Sequence, residues 1–214
     1  MSKIENPSCC DCGTQNCKHK DRTYPAFCPT TNLNQDDLTW ALEKYEEDRN
    51  HEVMVASAEV EYEGYCKWTR VEEIMQFARK INATKIGIAN CIGLSNEARI
   101  FARILRANGF EPYAVSCKVA GKAKTSLGIP SECEKIGAAM CNPILQARLL
   151  NQAKTELNVL IGLCVGHDSL FYKYSEAYVT TLVTKDRITG NNPAAALYTA
   201  HSYYHKKLNL DKDQ

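Results

Sequence analysis

Eleven cysteines occur in 214 residues, and position along the chain sorts most of them into two groups. The first group is packed into "PSCCDCGTQNCKHKDRTYPAFCPTTN", which has hardly any apolar residues to form a core. Cys9, Cys12, Cys17 and Cys28 have the spacing C-x2-C-x4-C-x10-C, with Cys10 as a spare. Only Cys9 makes a C-x-x-C with Cys12, a turn that aims two thiolates at one ion, and Gly13 relaxes the backbone behind it. Four thiolates at about 2.3 Å make a closed tetrahedral site that folds a segment lacking its own core. Zinc is the expected ion, and an iron–sulfur cluster on the same ligands is the alternative. The competing reading is a loose, redox-sensitive tail. His19, among lysines, reads as solvated.

The second group sits where strands end. Cys91 closes "GIANC", Cys117 closes "YAVSC" and Cys164 closes "IGLC". Cys141 stands one residue before the N-cap of the helix in "MCNPILQA". In an open parallel sheet, ligands bind beyond the carboxyl ends of the strands, so these four thiols are predicted to lie along one edge. Cys141, Cys164, His167 and Asp168 are the catalytic candidates. A helix N-terminus favours a thiolate, which puts Cys141 first, and His167 with Asp168 supplies a base, a proton donor or further ligands. Cys91, Cys117 and Lys118 are expected to line the pocket, Lys118 countering a substrate anion. Any one of these cysteines alone reads as a small buried residue. Four together point to a small-molecule site or a second metal centre.

Other candidates carry less. "AGKAKTSLG" lacks the spacing of a phosphate loop, and "CIGLSNEA" offers only Gly93 at the first strand-to-helix turn. His201 and His205 are i,i+4 partners on an expected last helix and more simply read as a half-buried and a solvated histidine. Cys66 precedes a capped helix and could join either site, whereas Cys133 reads as a loop cysteine.

Local sequence pattern gives the helices and strands that carry these residues. Asn34 caps one or two helices over 34–65. Thr69 and Glu72 make a capping box ahead of Val71, Ile74, Phe77, Ala78 and Ile81 on one face. "KIGIANC", "PYAVSC", "NVLIGLC" and "VTTLVTKD" read as strands. Between them come a helix capped by Ser95 and stopped at Asn108-Gly109, and another with Asn142 as N-cap and Pro143 behind it. A last helix is expected over 192–208, with Asn192 then Pro193 at its start. The alternation predicts an α/β fold, a mainly parallel, Rossmann-like sheet of about four strands covered by helices. The expected organisation is a cysteine-rich head over 1–33 and an α/β domain over 34–214, whose two N-terminal helices cover one face.

Composition narrows the class. Twenty-six basic and 25 acidic residues leave a formal charge of +1, which argues against a general nucleic-acid or anionic-membrane partner. No apolar run approaches the roughly 20 residues of a membrane span, and "MSKIENPSCC" has no apolar leader. A cytoplasmic setting is expected, where structural disulfides are disfavoured.

The stretches "SCCDCGTQNC", "EGYCKWTRVEEI", "GIANCIGL", "MCNPILQARLLN", "GLCVGHDSLF" and "TKDRITGNNPAAALYTAHSYY" together resemble a bacterial and archaeal family of metal-binding proteins, the domain of unknown function numbered eighteen forty-seven. That family opens with C-x-x-C, which puts Cys9 rather than Cys10 in register. In the family a histidine stands as often as an asparagine at the position of Asn191. The resemblance implies metal binding and one α/β domain with a cysteine head, and it specifies no reaction. The functional expectation is a metal-binding protein whose cysteine-lined sheet edge does redox or sulfur chemistry on a small molecule. The alternatives are a zinc-stabilised binding or sensor module and a metal-delivery protein.

Overall fold

Lys85–Asn90 (KIGIAN) forms the first strand, β1, and five of its six residues are buried. A computed structural model describes residues 7–19, 23–47 and 49–210. The opening residues 1–6, part of the stretch read as having no apolar leader, lie outside the described residues. The other strands are β2 (Glu111–Ser116), β3 (Leu157–Ile161) and β4 (Tyr178–Val183). They form one sheet in the order β2-β1-β3-β4, and every pairing is parallel. The central strands are the near-continuous apolar ones, because a central parallel strand is covered on both faces. The chain is an α/β protein.

Compactness divides the chain into Met1–Ala58 and Glu59–Gln214, downstream of the composition boundary at residue 33. The division falls inside α2 (Asn50–Gly64). In the first unit, α1 (Gln35–Tyr45) begins as its sequence dictates, with Asn34 accepting from the Asp36 amide. In the second unit, α3 (Arg70–Lys80) carries the full Thr69–Glu72 capping box and buries Ile74, Met75 and Ala78.

The crossovers use α4 (Ser95–Ala107), α5 (Pro143–Gln152) and α6 (His167–Tyr174). Right-handed connections put α4 on one face of the sheet and α5 with α6 on the other. Side-chain packing agrees: Ala89, Cys91, Val115 and Cys117 cluster with Ala147 and Leu150 of α5 and Phe171 of α6. Glu156 ties the amino edge together, its carboxylate accepting from the Thr84 and Lys85 amides at 2.7 and 2.8 Å.

Two local expectations, the Ser95 cap and the last helix, are corrected, and one helix is added. Ser95 is the first helical residue of α4 and does not cap it; its hydroxyl donates to the Ile92 carbonyl closing a 3-10 turn, Ile92–Leu94. The stretch after Cys164 forms α6, a helix of eight residues with one buried side chain, Phe171, too short to show a period. The last helix, α7, runs only from Ala194 to Tyr198, with no side-chain cap from Asn192. Thr199 turns its hydroxyl back to the Ala195 carbonyl, and the Tyr204 amide reaches past the helical partner to Thr199. Hydroxyl back-bonding of this kind competes with the helix, so the chain continues in turns. His201 and His205 therefore share no helix face, and the His205 ring bonds the Ser202 carbonyl.

One glycine is required by packing. A Cβ on Gly87 would stand 1.9 Å from Asn158 Oδ1 on the neighbouring strand. Asn158 cannot step aside: it is fully buried, accepting from Thr155 at 2.7 Å and donating to Ser175 at 2.8 Å. Gly87→Ala is expected to cost about 2 kcal/mol by overpacking and loss of these bonds. Denaturant unfolding measures this, and an unchanged midpoint refutes it.

Candidate functional site

The chain leaves β1 toward β2 and leaves β3 toward β4, in opposite directions. The carboxyl ends of β1 and β3 thus make a topological switch point, the usual place for a ligand in such sheets. Cys91 follows β1 directly, its amide donating to Ile161 of β3 at 3.0 Å. Cys117 follows β2 and donates to Asn90 at 2.8 Å. The strand register pairs Asn90 with Ser116, so Cys91 and Cys117 extend the same ladder by one position.

The two thiols lie in one packed cluster, and each shifts the acidity of the other. The Cys117 thiol holds the Cys91 sulfur as a thiolate, pulling its pKa down to about 5 against the cost of burial. The Gly93 amide and the Lys185 ammonium add to that effect. The Cys117 pKa moves up, because it keeps the shared proton, is buried and feels the Cys141 sulfur. The Ile92 amide also donates to Cys117 Sγ at 3.3 Å.

The other residues expected at this edge gather around the pair. Cys141 packs against the same cluster, anchored where the Asn142 amide donates to the Cys117 carbonyl at 2.8 Å. Asn142 caps α5 as its sequence implies, accepting from the Leu145 amide at 3.2 Å. Gln146, fully buried on α5, donates to Val115 and Asn90 carbonyls at 2.7 and 3.3 Å and seats the helix on the strand ends. Cys164 is half-buried beyond β3, and its carbonyl accepts from the His167 and Asp168 amides at 2.9 and 3.1 Å. His167, in the first turn of α6, is held neutral by burial and then by Lys118, while Asp168 and Cys91 pull the other way. Lys118 donates to the Ala139 carbonyl, and Asp168 accepts from the Ser169 amide at 2.8 Å.

Two cations in the site lay outside the residues singled out from sequence. The Lys185 ammonium favours charge on the Cys91 sulfur, and Arg187 donates to Cys164 Sγ at 3.2 Å. The Asp186 carboxylate presents both by accepting from the Ile188 and Thr189 amides at 2.8 and 3.0 Å. Asn191, at positive φ, closes the turn by exchanging bonds with Asp186. A bulge shifts the register from Leu160↔Thr181 to Ile161↔Val183 just upstream, and a bulge re-aims the side chains beyond it. Gly162 has φ +65°, and a Cβ there would meet Leu94 at 2.1 Å and Lys185 at 3.4 Å. The strand-end rule that picks out the cysteines also reaches Lys185 and Arg187, since both come just after the end of β4.

The head is a separate matter. Cys9, Cys10 and Cys17 are exposed, Cys12 is half-buried and Cys28 is buried. The Cys12 amide donates to the Cys9 carbonyl at 3.2 Å, closing the C-x-x-C turn. Cys12 is made more acidic by the Gln15 amide and then by Thr14, and Cys28 by the Thr30 side chain and then by the Thr30 and Thr31 amides. The Cys12 charge reaches Cys28. Turns that hydrogen-bond sulfur favour the thiolate a metal requires, so these two residues fit the role. Among the described residues no group of three or more His, Cys, Asp or Glu is gathered for a metal ion, in the head or at the sheet edge. Cys66 is exposed at positive φ, and Cys133 is half-buried with its carbonyl accepting from Lys124.

A shared proton gives a direct observable. One thiolate should persist in ultraviolet titration as pH falls from neutral to about 5, where an ordinary thiol is protonated below about 8.5. Cys91→Ser should remove that signal, and Cys117→Ala should move it up toward the ordinary value. A titration in which no thiolate survives below neutral pH contradicts this arrangement.

The chain is 47% identical over 167 residues to "Uncharacterized protein MJ0455" of Methanocaldococcus jannaschii, covering 78% of this chain and 85% of that one. No solved structure matches it. No helix among the described residues is long and apolar enough to cross a membrane. A family model matches residues 28–182, which takes in Cys28, all four sheet-edge cysteines, His167 and Asp168 but stops short of Lys185 and Arg187. The chain therefore belongs to the family described as "Protein of unknown function (DUF1847)".

Proposed function

We propose that this is a metal-binding thiol protein whose sheet edge exchanges sulfur bonds with a small anionic disulfide. The observation that carries this reading is the strand register that sets Cys91 beside Cys117 in one packed cluster, where the Cys91 thiol is made more acidic and the Cys117 thiol less so. A resting nucleophile and a resolving thiol are what such exchange needs. Neighbouring strand positions lie about 4.8 Å apart, inside the range of roughly 4.4–6.8 Å that a disulfide spans between Cα atoms.

The Cys91 thiolate attacks one substrate sulfur, the substrate S–S bond breaks, and the first thiolate leaves from a mixed disulfide at Cys91. Cys117 then gives up its proton, with His167 as carrier, and attacks the Cys91 sulfur. The second thiol leaves, and Cys91–Cys117 becomes a disulfide. The substrate gains two electrons, the protein loses two, and a small-molecule thiol resets the pair. Lys118, Lys185 and Arg187 supply the positive rim for a substrate carboxylate. Cys141 and Cys164 line the approach, so the role of leading thiolate passes in this reading from Cys141 to Cys91.

In the head, Cys9, Cys12, Cys17 and Cys28 would hold zinc, or an iron–sulfur cluster, as a folding element. The support is the acidified Cys12 and Cys28 together with the ligand spacing.

Oxidised glutathione serves as the probe on reduced full-length protein. Mass spectrometry is expected to find Cys91 joined to Cys117 with two glutathione thiols released, and Cys117→Ser should trap glutathione on Cys91. Mixed disulfides confined to exposed Cys9, Cys10 or Cys66 would overturn the exchange reading. Elemental analysis of anaerobically purified protein should find zinc or iron that is lost in Cys12→Ser and Cys28→Ser. Metal retained in both variants would remove the head assignment.

A further inference from the structure

The opposite face of the sheet carries a second hollow. Side chains alternate along a strand, so Asn90 and Ser116 project away from Cys91 and Cys117, toward α4. With Ala98 and Ala102 of α4 and Ala114 of β2 they outline a cleft of about 620 Å³. Small-molecule sites run from about 300 to 1,000 Å³. Ala98 and Ala102 on the helix and Ala114 on the edge strand are small side chains, which leaves a gap between the two elements.

Arg99, Arg103 and Arg106 ring this cleft. On a helix of 3.6 residues per turn these positions form one stripe, directly beside the arc that buries Ala98, Phe101, Ala102 and Leu105. No carboxylate among the described residues pairs with any of the three guanidinium groups. Arg99 bonds the Ser95 carbonyl of its own helix, at 3.3 Å. At the strand side, Ser116 Oγ is shut off from solvent and has no hydrogen-bond partner among the described residues. Asn90, 4% exposed, is held by a 3.0 Å bond from Nδ2 to the Cys91 carbonyl. A buried hydroxyl without a partner costs free energy that an entering acceptor returns. Guanidinium forks match the oxygens of a phosphate.

We propose that this cleft binds a phosphate-bearing small molecule, its phosphate held by Arg99, Arg103 and Arg106 with the Ser116 hydroxyl as a further donor. The site is independent of the thiol chemistry and stands or falls without it. A near-neutral chain with one local arginine stripe suits a small anion in a concave site, since a polyanionic polymer calls for a broad basic surface.

Titration calorimetry of the full chain with inorganic pyrophosphate tests the proposal. One saturable site is expected, weakened roughly tenfold in Arg103→Gln and further in the Arg99→Gln/Arg103→Gln pair, as loss of a charge-assisted bond implies. Ser116→Ala should weaken it several-fold, and Arg148→Gln on α5 should leave it unchanged. The arginine variants remove exposed side chains, and an unchanged denaturant unfolding midpoint shows that they fold. Absence of a saturable heat, equal affinity in the double variant, or loss of binding in Arg187→Gln instead would overturn the proposal.

Discussion

The strand register at the end of β1 and β2 decides which side chains meet at the carboxyl edge of the sheet. Asn90 lies opposite Ser116, so the next residue on each strand is a cysteine beside a cysteine. Two sulfurs held that close in a half-dry site cannot both be charged and need not both be neutral. The neighbouring Cys117 thiol, keeping its proton, makes Cys91 the more acidic of the two. A slip of one residue in the ladder would turn one thiol to the opposite face and end the pairing. The buried Gln146 and Asn158 bonds, with the exposed Glu156 carboxylate at the amino edge, hold that ladder.

The same alternation explains why two hollows exist at one edge. Odd positions at the strand ends, Ala89, Cys91, Val115 and Cys117, face α5 and α6. Even positions, Asn90, Ala114 and Ser116, face α4. The cysteine edge and the arginine-lined cleft are thereby placed back to back, with only the thickness of a sheet between them. The cations beside each hollow come from different places: Lys185 and Arg187 from the turn after β4, and the arginine stripe from α4. The turn after β4 holds its cations through backbone amides on Asp186 and the side chain of Asn191.

The head holds together by different means. Its chain is closed by polar bonds: the Ser8 amide to Phe27, and the Asn32 side chain to the carbonyls of Ala26 and Cys28 at 2.7 and 2.9 Å. Such bonds are exposed or only partly buried, and water competes for them. A metal on the cysteine ligands would supply the cohesion that apolar burial does not.

Much of this was legible in the amino-acid order alone, because it is local. Caps at Asn34, Thr69 and Asn142, the apolar runs of β1 and β3, and the stop at Asn108-Gly109 come from hydrogen-bonding chemistry within a few residues. The placement of Cys91, Cys117 and Cys164 at strand ends comes from the same pattern. Tertiary structure decided the features that depend on distant partners: the order β2-β1-β3-β4, the pairing that singles out Cys91, and the arrival of Lys185 and Arg187 beside the sulfurs. It also made α6 from a stretch with one buried residue and stopped α7 at Tyr198, where Thr199 and the turns beyond it compete with the helix. Periodicity tells which face of an element is apolar, whereas a thiol's acidity is set by the atoms around it, and those arrive from elsewhere in the chain.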